Sequence, residues 1–146
     1  MPDDALTETR PETQADSAAY RGVIPSLSMG GKATEAAEFY ARAFGARDLG
    51  RMPDADKPGQ LLHCMLEING GGLMMSDCVA PWETVSPKPQ GVTMQLVVPD
   101  GDAWWSRAVE AGCKVVMPFE KMFWGDRWGM LEDPFGIAWA IDEPAG

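Results

Sequence analysis

Two stretches of this chain repeat one pattern, and that repeat limits the fold more than any single motif. Ser26-Leu27-Ser28-Met29 leads into a helical stretch over 33–44, closed by Gly45-Ala46-Arg47. Gln95-Leu96-Val97-Val98 leads into a second over 103–111, closed by Gly112-Cys113-Lys114. The offsets are close, 69 residues from Leu27 to Leu96 and 67 from Arg47 to Lys114. A duplicated unit of this size must bury its apolar face under its own helix or against its twin.

Alternation fills in each copy. In the first, period-two patterns at 23–29 and 61–68, and the segments between breaks and turns at 47–52 and 73–77, predict strands. In the second, alternation at 92–98, the segment at 114–119, and aromatic and β-branched residues at 124–131 and 137–142 predict strands. Pro25 marks the first strand as an edge or a late start. Ala36, Tyr40, Ala43 and Phe44 form one apolar stripe on the first helix, with Gly45 as its cap. The order is therefore β-α-β-β-β written twice, an α+β chain. In the strand over 61–68, Leu62, Cys64, Leu66 and Ile68 are all apolar, whereas His63, Met65 and Glu67 are mixed. The helix must cover the apolar face. Two such sheets placed edge to edge give one curved eight-stranded mixed sheet with a concave inner face. That inner face carries His63, Met65, Ser76, Thr93 and Gln95 beside Ala138 and Ala140, a lining suited to a small molecule.

The remaining segments set the expected boundaries. Residues 1–21 are acidic, aperiodic and read as a flexible tail. One domain follows over 22–143, with modules at 22–78 and 91–143 and a proline-bearing linker at 79–90. A net charge of −10 and a pI near 4.4 argue against nucleic acid and against an anionic membrane surface. No apolar run approaches the roughly 18 residues of a membrane span. Residues 1–19 hold five acidic side chains, one Arg and no apolar segment, unlike a secretory signal, so a cytoplasmic protein is expected. Cys64, Cys78 and Cys113 are widely spaced and suggest neither a disulfide framework nor a metal knuckle.

The last third carries the most distinctive stretch, Trp124-Gly125-Asp126-Arg127-Trp128 to Trp139. Asp133-Pro134-Phe135-Gly136 is a turn signal, so this is a hairpin with aromatic arms. Trp124 and Trp128 can stack on a flat ligand or serve as packing. Arg127 can clamp an anion, or pair with Asp126 or Asp133 to fix the turn. His63, the single histidine, shares a strand face with Met65 and Glu67. It can serve in hydrogen bonding, in acid–base work with Glu67, or as a weak two-ligand metal site.

The duplicated unit, Ala36-Ala37-Glu38-Phe39-Tyr40 with Ala43-Phe44-Gly45, and the Trp-Gly-Asp-Arg-Trp-Gly … Asp-Pro-Phe-Gly ending resemble the vicinal oxygen chelate superfamily. That superfamily includes glyoxalase I, bleomycin-resistance proteins and extradiol dioxygenases, and the nearest subgroup is PhnB-like. The resemblance spans about residues 22–143 and implies the glyoxalase/bleomycin resistance/dioxygenase fold. It also implies a homodimer whose cavity a second subunit completes. Metal-dependent relatives place His, Glu or Gln at positions that fall here on Ile24, Ser76, Thr93 and Ala140. None of these is a usual divalent ligand, so no metal and no cofactor is expected.

The function expected is binding of a small apolar or aromatic molecule, with His63, Met65, Ser76, Thr93, Gln95, Trp124, Arg127 and Trp128 as contacts. The alternative is a lyase, isomerase or dioxygenase using His63 and Glu67 as an acid–base pair or minimal metal site. A second alternative is a non-catalytic structural or regulatory partner.

Overall fold

In a computed structural model, the chain is described over residues 18–77 and 89–146. Residues 1–17 and 78–88, which hold most of the expected tail and linker, lie outside the described residues. The chain divides into two compact units. Among the described residues, the first comprises 18–41 and 45–77, and the second 42–44 and 89–146. The eight expected strands are present as two four-stranded mixed sheets, one in each unit.

The first unit contains β1 (Ser26–Ser28), α1 (Ala33–Phe44) except its residues 42–44, β2 (Arg47–Pro53), β3 (Leu61–Ile68) and β4 (Gly71–Ser76). Its strand order is β1-β4-β3-β2, with β1 parallel to β4 and the other pairs antiparallel. β1 is shorter than the alternation predicts. Pro25 lacks an N–H and offers only its carbonyl, which accepts from the Met74 N–H at 2.9 Å. At the far end, Asn69 and Gly70 both take positive φ, 52° and 84°, and close a tight β3–β4 hairpin.

Asp77, just after β4, ties the unit together. Its buried carboxylate accepts from the N–H groups of Gly31 (2.7 Å) and Ala33 (3.0 Å) at the start of α1. Its second oxygen accepts from the Leu61 N–H at 3.0 Å. One carboxylate thus satisfies three backbone donors and complements the positive end of a helix.

The second unit repeats this plan with β5 (Thr93–Val97), α2 (Gly101–Ala111), β6 (Lys114–Lys121), β7 (Arg127–Glu132) and β8 (Ala138–Glu143). The order is β5-β8-β7-β6, again with the first pair parallel. Glu143 fills the role of Asp77, accepting from the Gly101 N–H at 2.7 Å as α2 begins. Asp100 caps the same helix through the Ala103 N–H.

α2 seats closely on the sheet because residue 129 is glycine. A Cβ there would lie 2.7 Å from the Phe119 Cα and from the Trp105 ring. Trp105 stacks on Phe119 with ring centroids 5.5 Å apart. The last turn of α1 also belongs to this unit, where Phe44 packs on Trp139 at 4.3 Å.

The Asp133–Gly136 turn forms as the sequence indicates. The Gly136 N–H donates to the Asp133 carbonyl at 3.1 Å, with Gly136 at φ 85°. The Asp133 side chain fixes it from within, accepting from the N–H groups of Phe135 and Ile137 and from the Trp139 indole, each at 2.9 Å. The strand expected from 124 begins only at Arg127. Residues 122–126 form a turn instead, with the Met122 N–H on the Asp126 carbonyl and Gly125 at φ 106°. Among the described residues, no helix is long and apolar enough to cross a membrane.

Candidate functional site

In each sheet the helix-free side carries most of the polar candidates, with Arg127 as the exception. The two helix-free faces differ in what covers them.

On the first unit's face, β3 contributes His63, Met65 and Glu67, and β4 contributes Gly72, Met74 and Ser76. Met65 is fully buried at the centre, packed with Leu49 and Ala19, with Ile24 and Met74 against them. Ala19, at the end of the expected tail, is only 3% exposed. The backbone passes so close over Gly72 that a Cβ there would lie 2.7 Å from the Ala19 carbonyl oxygen and from the Met65 methyl. Nothing in the alternation of the sequence announces this contact. It depends on a glycine in one strand and a small residue in a segment of no periodicity.

Sharing a face has not brought His63 and Glu67 together. Four residues along a strand span about 13 Å, too far for a direct acid–base pair. Glu67 is engaged where it stands. It accepts from Arg47 Nε at 2.7 Å on one oxygen and from the Gly70 N–H at 2.9 Å on the other. It is thereby tied to β2 and to the hairpin turn. His63 is half-buried opposite Met52. Ser76 is half-buried opposite Ser28.

The second unit's face is more open. From β5 it carries Thr93 and Gln95, both exposed, and from β8 it carries Ala138, Ala140 and Asp142. From β7 it carries Glu132, Met130 and Trp128. The Trp128 indole N–H donates to Gln95 Oε1 at 3.4 Å across the sheet. Trp124 meets Trp128 edge-to-face with centroids 6.0 Å apart, and Phe123 meets Trp124 likewise at 4.9 Å. Phe123 is 96% exposed and Trp124 49%. Thus Gln95, Trp124 and Trp128, three candidates read from the sequence, form one constellation.

Arg127 is not part of it. Neighbours on a strand point to opposite faces, and Arg127 points toward α2. Its guanidinium makes a two-pronged contact with Asp102 at 2.9 and 3.1 Å, and it lies 4.4 Å over the Phe119 ring. Neither Asp126 nor Asp133, the partners expected from the sequence, is its partner. Mutual pairing holds the Asp102 carboxyl below the usual carboxylate range.

Two acidic residues belong to the open face: Asp126, which the sequence offered only as a partner for Arg127, and Asp142, which it did not single out. Asp142 is 6% exposed and hydrogen-bonds Asp126. Burial first, then that hydrogen bond and the neighbouring charge, push the Asp142 carboxyl above its usual range. Asp126 also accepts from the Ala145 N–H at 3.0 Å. Extending the alternation Ala138, Ala140 by one step would have reached Asp142.

The positions where metal-dependent relatives hold ligands do not suit a divalent ion. Ile24 packs against the Met65 cluster and Ala140 is fully buried, and neither side chain can coordinate. Ser76 and Thr93 offer only hydroxyls. Among the described residues, no group of three His, Cys, Asp or Glu side chains is placed to hold an ion. Cys64 and Cys113 are buried thiols whose pKa burial pushes up to about 12. They are protonated at neutral pH and suit packing better than nucleophilic chemistry.

Comparison with known proteins agrees with this architecture. Residues 28–141 match the family model for the Glyoxalase/Bleomycin resistance protein/Dioxygenase superfamily. An uncharacterised protein of Mycobacterium bovis is 42% identical over 118 residues, covering 77% of this chain and 76% of its own length. The crystal structure of protein PA1353 from Pseudomonas aeruginosa superposes with a TM-score of 0.68 at 28% identity, covering 86% of this chain and 99% of that one. A PhnB protein from Bacillus cereus, described as a putative 3-demethylubiquinone-9 3-methyltransferase, shares the fold at a TM-score of 0.65 and 21% identity, covering 84% and 99% of the two chains. With a family match over most of its length and the fold to go with it, this chain belongs to the Glyoxalase/Bleomycin resistance protein/Dioxygenase superfamily.

Proposed function

We propose that this protein binds a small, flat, largely apolar molecule on the helix-free face of its second unit, without the divalent metal of its chelating relatives. The observation that carries the reading is the Trp124–Trp128–Gln95 constellation. A half-exposed indole is held in place by its hydrogen bond to Gln95 and flanked by a second indole edge-on. A fixed ring costs little entropy when a ligand stacks on it. The reading takes His63 and Ser76 as polar groups of the first unit's face and leaves Glu67 and Arg127 as structural ion-pair members.

Two further expectations belong to this proposal. A homodimer is supported by β6, an edge strand with Val115, Val116 and Met117 exposed, which invites burial against a second copy. A reducing compartment such as the cytoplasm is supported by Cys64 and Cys113, which are free thiols.

A thermal-shift screen of apolar and aromatic compounds tests the reading. A compound at 100 times its dissociation constant adds about 2.7 kcal/mol and raises the midpoint. The shift must vanish in Trp128→Ala. A broad library that leaves the wild-type midpoint unmoved overturns the reading, and so does a hit whose shift survives Trp128→Ala.

A further inference from the structure

The surroundings of Trp128 carry one sign of charge. Glu120 on β6 and Asp142 on β8 are its register partners on either side. Partners across a ladder project from the same face. Asp126 joins them through its hydrogen bond to Asp142. The bases of these strands lie elsewhere. Lys121 stands opposite Arg127 on the α2 side, where the guanidinium is held by Asp102. Lys114 stands opposite Glu132 at the far end of the sheet. Among the described residues, the face around Trp128 therefore has three carboxyl groups, two of which share one proton in their hydrogen bond, and no cation.

The rings add a second, independent preference. The only N–H of the Trp128 indole is already donated to Gln95. What that side chain offers a ligand is its π-face, which is electron-rich. Trp124 and Phe123 extend the aromatic surface, and both are exposed. An anion meets carboxylates and ring faces, which repel it. A neutral ring gains stacking alone. A cation with an apolar body gains stacking, attraction to the ring quadrupoles and attraction to the carboxylates.

We propose that this face takes an organic cation, an alkylammonium or N-alkylated aromatic, with its apolar body against Trp124 and Trp128 and its charge toward Asp126, Asp142 and Glu120. The inference rests on the ligand-binding reading above and names the class of ligand for it.

Three probes with a common ring separate the possibilities: benzyltrimethylammonium, benzyl alcohol and benzoate, each titrated calorimetrically into the full-length protein. The cation is expected to bind about tenfold more tightly than the alcohol, and benzoate more weakly than either. Asp126→Asn combined with Asp142→Asn removes the charge and keeps a hydrogen-bonding pair of the same shape. It should cut the cation's advantage about fivefold and leave benzyl alcohol unchanged, because only the charge term is lost. Glu120→Gln, on an exposed edge, gives a smaller loss of the same sign.

Equal binding of cation and alcohol overturns the charge preference and leaves the ligand-binding reading standing. Binding of none of the three overturns the proposal, and the library screen decides the ligand-binding reading separately. An advantage that survives the double substitution and Glu120→Gln also overturns the proposal.

Discussion

The two modules share strand order, helix placement and a carboxylate that anchors each helix start, yet their helix-free faces differ. The first is filled from within its own unit. Met65 is buried under Ala19 and beside Leu49, and Glu67 is taken up by Arg47 and Gly70. The second leaves Thr93, Gln95 and Val97 exposed and Trp128 half-exposed, with Phe123 and Trp124 projecting beyond them. The duplicated fold thus presents two different helix-free faces. One face is core, and the other keeps apolar surface available. Exposed aromatic surface forgoes the stabilisation that burial would give it, so the clustering of Phe123, Trp124 and Trp128 on the second face is what supports the proposal of a ligand there.

Substitutions can break this contrast, and the largest effect should come from the filled face. Met65→Ala empties a fully buried site and should destabilise the protein by about 2–5 kcal/mol in urea unfolding. A loss under about 1 kcal/mol would mean that the Ala19 segment does not close this face. Gly72→Ala tests the same contact from the other side. The new methyl meets the Ala19 backbone, and the expected cost is about 1–3 kcal/mol. Trp128→Ala on the open face should cost less, about 1–2 kcal/mol, because the indole is only half-buried. It should nevertheless abolish ligand-induced thermal shifts. A stability loss as large as that of Met65→Ala would make Trp128 core and end the contrast.

The smallest effect concerns Asp142, and its sign is the informative part. The folded protein holds the Asp142 proton more tightly than the unfolded chain does, because the carboxyl is buried beside Asp126. That preference stabilises the fold below the unfolded carboxylate range and is lost as the pH rises through the folded value. Asp142→Asn should therefore gain stability relative to wild type as the pH is raised from about 3 to 7. Chemical denaturation at several pH values measures this. A variant that loses ground with rising pH would show that the ionised carboxylate is the favoured form.

Much of the fold could be read directly from the sequence. Alternation in some strands, and β-rich runs between turn signals in the others, located all eight, and Gly45 and Gly112 ended both helices as expected. The exceptions have local causes. Pro25 shortens β1, and the Met122–Asp126 turn delays β7. The site was less legible, because alternation gives a residue's face and not its distance or its cover. His63 and Glu67 were correctly placed on one face and are still about 13 Å apart along the strand. Trp128 and Gln95 meet across β5, β8 and β7, a register that no spacing in the sequence reveals. Arg127 differs from Trp128 by one residue, and that step carried it to the α2 side and to Asp102, far away in sequence.

The assignment of the ligand to one face is tested most directly by NMR of indole N–H, glutamine amide and methionine methyl groups during titration with a compound that stabilises the protein. The account predicts that the Trp128 indole N–H and the Gln95 side-chain amide shift together while the buried Met65 methyl stays in place. Movement of the Met65 methyl with Trp128 and Gln95 unchanged would contradict it, and would place the ligand on the face that the structure shows filled.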